Sequence, residues 1–142
     1  MSVPTVVLDT NVLVAAIRSR EGASFALLSC LAEADPPFVP VVSVPLVLEY
    51  EDAMARSLSA SPLDAGDVED LLDFFCSESK HQEIFYLWRP HLRDPGDDLV
   101  LEVAFAAGAD FLVTFNLKDF VEAKSVGVKV ITPQQMLLKI GR

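Results

Sequence analysis

Cysteine and histidine are scarce in this 142-residue chain, with two of each. Cys30 and Cys76 are too few for a disulfide framework and show neither CxxC nor Cys/His zinc spacing. A disulfide-stapled scaffold is excluded, and a reducing, cytoplasmic setting is expected. Both cysteines fall in apolar helical stretches and are expected in the core. His81 and His91 stand apart in an expected strand and loop, too isolated to act as ligands. Phosphate-cradling and nucleophile-elbow motifs are missing: there is no GxxxxGK[ST], GxGxxG or GxSxG. No apolar window reaches the roughly 18 residues of a membrane span, and no basic region precedes the first apolar run as a leader would require. Positive charge is also short, with 11 Lys and Arg against 21 Asp and Glu and a formal net charge of -10. Binding nucleic acid by bulk electrostatics needs the opposite balance. A nucleic-acid enzyme that holds metal ions in an acidic site stays open.

Apolar residues make up 51% of the chain and charged residues 23%. That composition excludes intrinsic disorder, and the length suits one domain over residues 1–142. Such a chain can bury roughly 70% of its unfolded surface without staples. Short β-branched runs alternate with longer helical stretches. Strands are expected at 5–8, 38–42, 84–87 (the weakest), 111–113 and 128–131, and helices at 11–20, 22–33, 67–78, 97–107 and 133–140. A further helix should start at Ser43, a good N-cap followed by Pro45, with Val47, Tyr50, Met54 and Leu58 on its apolar stripe. Gly108 is a natural stop for the apolar helix before it. Asp64, Asp67, Glu69, Asp70 and Asp73 read as a solvated helix face. Strands alternating with helices imply a parallel sheet covered on both faces, a three-layer α/β/α fold.

Ligands of open parallel sheets sit beyond the carboxyl ends of the strands. The polar residues there are acidic or amide: Asp9-Thr10-Asn11 after the first strand, and Thr114, Asn116 and Asp119 after the fourth. The helix after strand two brings Glu49, and the helix entering strand four begins with Asp97-Asp98. Asp9, abutting Val-Val-Leu, is either a helix N-cap or a half-desolvated functional carboxylate; the other converging acids favour function. Asp98 and Glu102 share a helix face at i and i+4, where like charges repel and burial adds to the cost. A bound divalent cation would offset that repulsion, although Asp98 could instead cap the helix and Glu102 reach solvent. The helical wheel leaves Glu49 and Glu51 as alternatives and turns Asp52 away. Carboxylates without a partner His or Cys suit a hard ion, Mg²⁺ or Mn²⁺, the equipment for phosphodiester hydrolysis. An acidic enzyme would still need cations near its pocket to grip phosphates; Arg93 and Lys118, flanking the acidic segments, are the candidates.

With these residues assembled, the chain resembles PIN-domain proteins, and in particular the VapC-like toxins of toxin–antitoxin systems. Residues 6–13, VVLDTNVL, are similar to the family's opening motif, and 44–50, VPLVLEY, resemble its acidic helix and select Glu49 over Glu51. Asp94-Pro95-Gly96-Asp97-Asp98 with Ala106-Ala107-Gly108-Ala109-Asp110 resembles a DPxDD…AAGAD block, and 113–120, VTFNLKDF, resemble a VT-x-[ND]-x-x-D-F signature. The resemblance implies a five-stranded parallel sheet of order 3-2-1-4-5 and an Mg²⁺- or Mn²⁺-dependent endoribonuclease acting on RNA. A cognate antitoxin that holds the enzyme inactive and a homodimer or higher homo-oligomer are expected with it, and no membrane partner is expected. The metal-binding and catalytic acids it maps are Asp9, Glu49, Asp98 and either position 116 or Asp119; because Asn116 is not an acid, Asp119 is the expected fourth. Asn11, Glu102, Thr114 and Asn116 are expected in supporting roles, Thr114 as a hydrogen-bond partner of a neighbouring carboxylate. Two other classes compete. A PIN-like binding module without activity is favoured by Asn116, whereas a receiver-type phosphoacceptor would want paired early acids and a Lys ending the last strand.

Overall fold

A computed structural model describes residues 3–84 and 95–142. The first strand, β1 (Thr5–Leu8), is β-branched and ends in three residues with no solvent exposure, Val6, Val7 and Leu8. That is what a strand covered on both faces requires. The chain then forms α1 (Thr10–Arg18), α2 (Ala23–Cys30), β2 (Val39–Val42) and α3 (Val44–Arg56). Ser43 caps α3 as its sequence implies, its Oγ accepting from the Leu46 N–H. A short 3-10 turn (Leu58–Ala60) leads to α4 (Ala65–Ser77). Asp64 and Asp67 are exposed, as expected, and also form a reciprocal capping box at the start of α4. The third strand, β3, is only Lys80–His81. It sits upstream of the expected 84–87, since Ile84 carries no strand and 85–87 lie outside the described residues.

After α5 (Pro95–Ala107) come β4 (Phe111–Val113), a 3-10 segment (Leu117–Val126), β5 (Lys129–Ile131) and α6 (Pro133–Lys139). Gly108, at φ 60°, closes α5 with the Ala109 N–H donating to the Ala104 carbonyl, the six-to-one bond of a Schellman motif. The five strands form one parallel sheet of order β3-β2-β1-β4-β5, flanked by helices as in a PIN-like α/β/α fold. Strand order reverses between β1 and β4, which pair in register from Val6 opposite Phe111 to Leu8 opposite Val113. Their carboxyl ends therefore finish side by side at the switch point, where such sheets open a crevice. α5 packs on β1, β2 and β4 through Val100, Leu101, Val103 and Ala104. It is less enclosed than its composition suggests, because Phe105 and Ala106 face solvent. Cys30 is buried and Cys76 half-buried against the core, and desolvation pushes both thiols above their ordinary value. Among the described residues no helix is long and apolar enough to cross a membrane.

Candidate active site

Asp9 follows the last residue of β1 and occupies the N-cap position of α1, yet its side chain makes no capping hydrogen bond. Its Oδ2 accepts from the Thr114 hydroxyl at 2.6 Å, across the switch point from the end of β4. Both residues are buried, Asp9 at 4% and Thr114 at 0% exposure. The Thr114 Oγ1 also accepts from the Asn116 N–H at 3.0 Å, so one hydroxyl fixes both the carboxylate and the turn that leaves β4. Register explains the pairing: Leu8 stands opposite Val113, and Asp9 and Thr114 are the next residues of the two strands.

From the other side Tyr50 of α3 donates its phenol to the Leu8 carbonyl at 2.5 Å. Phe75 of α4 meets the Tyr50 ring edge-on, with centroids 5.9 Å apart. Burial, then the negative charge of Asp9, then Cys76, push the phenol well above its ordinary value, so it remains a donor. This anchor ties α3 to the carboxyl end of β1 and carries Glu49, its neighbour in sequence, to the same place. Tyr50 reads in the sequence merely as an apolar stripe residue.

A cavity of about 300 Å³ opens where these elements meet, lined among others by Asp9, Thr10, Asn11, Glu49, Arg56, Asp97 and Asn116. Glu51 does not reach it and lines a separate cavity between α3 and α4. The Asn11 Oδ1 is buried and has no hydrogen-bond partner among the described residues. An acceptor in that state carries a desolvation cost unless something else satisfies it. Arg56, in the last turn of α3, pairs with Asp52 and, at 3.9 Å, with Glu49. Neither Arg56 nor Asp52 stood out in the sequence, although Glu49, Asp52 and Arg56 lie at i, i+3 and i+7 of one helix.

The remaining candidates divide into those on the cavity wall and those off it. Asp98 and Glu102 are buried, at 6% and 5%, rather than on its wall; Glu102 does not reach solvent. The wall at the start of α5 is formed by Gly96 and Asp97 instead. Asn116 is exposed on the rim. Asp119 is exposed and off the wall, with its N–H donating to the Asn116 carbonyl at 3.0 Å. Lys118 lines a different, apolar cavity along β5, and Arg93 lies outside the described residues. His81 is exposed, with its Nε2 near the Cys76 carbonyl at 3.2 Å.

A family model described as PIN domain matches residues 5–118. The chain belongs to the PIN-domain family. PIN domains are in general nucleases, hydrolases that use divalent metal ions. The match runs from β1 through Lys118 and so takes in Asp9, Glu49, Asp97, Asp98, Thr114 and Asn116, with Asp119 just beyond its end. No curated protein matches the chain.

The donor chemistry of this PIN-domain cavity fits a hard cation. Among the described residues its acidic, amide and hydroxyl side chains offer oxygens, with no sulfur or imidazole on the wall, and one amide oxygen is an orphan. Among the described residues, however, no group of three or more Asp, Glu, His or Cys side chains is disposed to hold a metal ion. A closed protein cage is not required for Mg²⁺, which keeps several waters and commonly takes only one or two carboxylates together with substrate phosphates.

Proposed function

We propose that this PIN-domain protein is an Mg²⁺- or Mn²⁺-dependent endoribonuclease and the toxin of a toxin–antitoxin pair, acting in the cytoplasm. The observation that carries the reading is Asp9. Its carboxylate is withdrawn from water at the switch point and fixed by Thr114 instead of capping α1. It opens on a cavity shared with Glu49, Asp97 and the orphan oxygen of Asn11. Desolvating a carboxylate costs several kcal/mol, so such an arrangement is a poor way to stabilise a fold and a good way to receive a cation. Asp9, Glu49 and Asp98 are the proposed holders of that ion. Asp119, exposed one turn beyond the rim residue Asn116, is proposed as the fourth. When bound, the ion supplies an activated water and offsets charge on the scissile phosphate. Thr114 holds Asp9 in one rotamer, Tyr50 fixes the seat of α3 beside it, and the Asn11 and Asn116 amides orient groups that enter the cavity. Glu102, four residues beyond Asp98 on α5, is proposed as a supporting carboxylate. An antitoxin that covers the cavity and self-association into a homodimer belong to the same proposal.

A second reading, a PIN-type binding module without catalysis, is favoured by Asn116, an amide on the rim where the resemblance puts an acid. One experiment separates the two. The protein is incubated with single-stranded RNA with and without Mn²⁺, alongside Asp9→Asn, and melted in the same buffers. Mn²⁺-dependent cleavage lost in the variant supports the nuclease. A cation present at about 100 times its Kd should add roughly 2.7 kcal/mol of stability. Intact RNA and a Tm indifferent to millimolar Mn²⁺ would leave the binding module.

A further inference from the structure

A phosphodiester strand approaching this cavity meets Asp9, Glu49 and Asp97 on its walls and a net charge of -10 behind them. Like charges at contact distance repel, most strongly where water is partly excluded. Some cation must therefore meet the strand before its scissile phosphate can enter. Lys118 faces a separate cavity. Among the described residues, the only cationic side chain on the wall of the Asp9 cavity is Arg56.

We infer that Arg56 forms a phosphate-binding site at the mouth of this cavity, taking a phosphodiester of the substrate strand adjacent to the one cleaved. The inference deepens the nuclease reading and rests on it for the identity of the ligand. Three observations carry it. Arg56 sits at the carboxyl-terminal turn of α3, two turns beyond Glu49, so its reach ends at the rim. Its side chain is 63% exposed and so retains access to a ligand arriving from solvent. Its partners in the absence of substrate are carboxylates, Asp52 and, loosely at 3.9 Å, Glu49, whose oxygens stand in for the phosphate oxygens to come. The planar guanidinium fork matches phosphate as well as carboxylate. Exposed ion pairs hold weakly, so exchanging Asp52 for a phosphodiester has little to overcome. Moving toward the strand also removes a cation from Glu49, which leaves that carboxylate more attractive to a metal ion. An arginine in the last turn of a helix is also an ordinary partner of the helix dipole. That role alone would leave RNA affinity untouched.

The test uses fluorescence anisotropy of a labelled single-stranded RNA in EDTA, where metal-dependent cleavage is silent, across a salt series. It is run on the wild type, Arg56→Ala and Arg56→Lys. Arg56→Ala is expected to weaken binding about tenfold and to flatten the logarithmic salt slope by about 0.7, the share of one phosphate contact on a single strand. Arg56→Lys, which keeps the charge, should retain the slope. In parallel melts Mn²⁺ should raise the Tm of Arg56→Ala by at least as much as that of the wild type, because Glu49 has lost its competing cation. Unchanged RNA affinity and slope in Arg56→Ala would overturn the site, as would loss of its Mn²⁺ response, which would make Arg56 part of the metal pocket's framework. A wild type that shows the slope change against Arg56→Ala yet never cleaves RNA with Mn²⁺ would sustain the phosphate site and end the nuclease reading.

Discussion

At the carboxyl end of β1 Asp9, and on α5 Asp98 and Glu102, are almost inaccessible to solvent; along α4, Asp67, Glu69, Asp70 and Asp73 all stand exposed. Residue type is the same in both regions, and both contribute to the same net charge. Periodicity separates them. On α4 the buried positions are Val68, Leu72 and Phe75, an apolar stripe that turns every acid outward. At the switch point no such choice exists, because the residue following a doubly covered strand emerges at the rim of the core whatever it is. Asp9 is held there by a hydrogen bond from Thr114, a residue 105 positions away. Acids on α4 cost the fold little, whereas burying a carboxylate at the switch point, as Asp9 is, costs several kcal/mol. Charge that the fold must be strained to accommodate is the charge that points to function.

Neutralising the two sets should therefore give very unequal results. The largest effect is expected at Asp9: Asp9→Asn keeps the shape and should lower Mn²⁺-dependent RNA cleavage by more than the roughly 10- to 100-fold typical of losing an outer-shell partner. Initial rates on a labelled RNA measure it. A variant within threefold of wild type would remove Asp9 from the chemistry and break the contrast at its strongest point. Thr114→Val should follow. It preserves the packing volume approximately but removes the donor to Asp9, and should cost about 10- to 100-fold in activity. The same variant is expected to lose about 1–3 kcal/mol in urea unfolding, because the carboxylate loses a buried partner.

Tyr50→Phe probes the other side of the seat. Losing the bond to the Leu8 carbonyl should lower stability by about 1–2 kcal/mol near neutral pH. The pH dependence carries a definite sign. In the folded protein the phenol is pushed above its ordinary value by burial, and further by Asp9 and Cys76. Folded protein thus keeps a proton that the unfolded chain surrenders near pH 10. The stabilisation is complete below that value and is lost as pH rises through it toward the folded value. Unfolding curves from pH 8 upward should show wild type losing its margin over Tyr50→Phe; parallel curves would mean that the phenol ionises as freely inside as outside.

The central strands were legible because the runs at 5–8 and 111–113 are short, apolar and uninterrupted, as burial on two faces demands, whereas the sheet order came only from the family resemblance. Ser43 with Pro45, and Gly108, marked their helix ends through local chemistry alone. The third strand was not legible at its true place, since Lys80–His81 is a two-residue, exposed edge with no apolar signal. Its position is fixed by pairing with Val41 and Val42, which is tertiary information. At the site, Asp9 and Glu49 could be found from placement and motif. That Asp97 lines the cavity wall while Asp98 is buried beside it could not, because the rotation of α5 is set by its packing on β1, β2 and β4. Arg56 on the cavity wall was not legible either, because a basic residue in the last turn of a helix carries no signal beyond its pairing with the helix dipole.

The smallest effect is expected on α4, and it is the one that tests whether exposure alone accounts for the contrast. Asp70 is exposed, outside the Asp64–Asp67 capping box and off the wall of the Asp9 cavity. Asp70→Asn removes one unit of negative charge, as Asp9→Asn does, so any general effect of net charge on RNA approach must appear equally in both. Surface substitutions of this kind change stability by no more than about 0.5 kcal/mol. Cleavage rate and Mn²⁺-induced rise in Tm should match wild type within error at physiological salt, where exposed charges beyond about 8 Å are screened. If Asp70→Asn instead speeds cleavage appreciably, the solvated acids of α4 are repelling substrate at long range. The boundary between the two regions would then lie in the field of the whole domain rather than in the burial of individual carboxylates. Repeating the assay in 0.5 M salt would decide it, since a long-range field collapses there and the burial of Asp9 does not change.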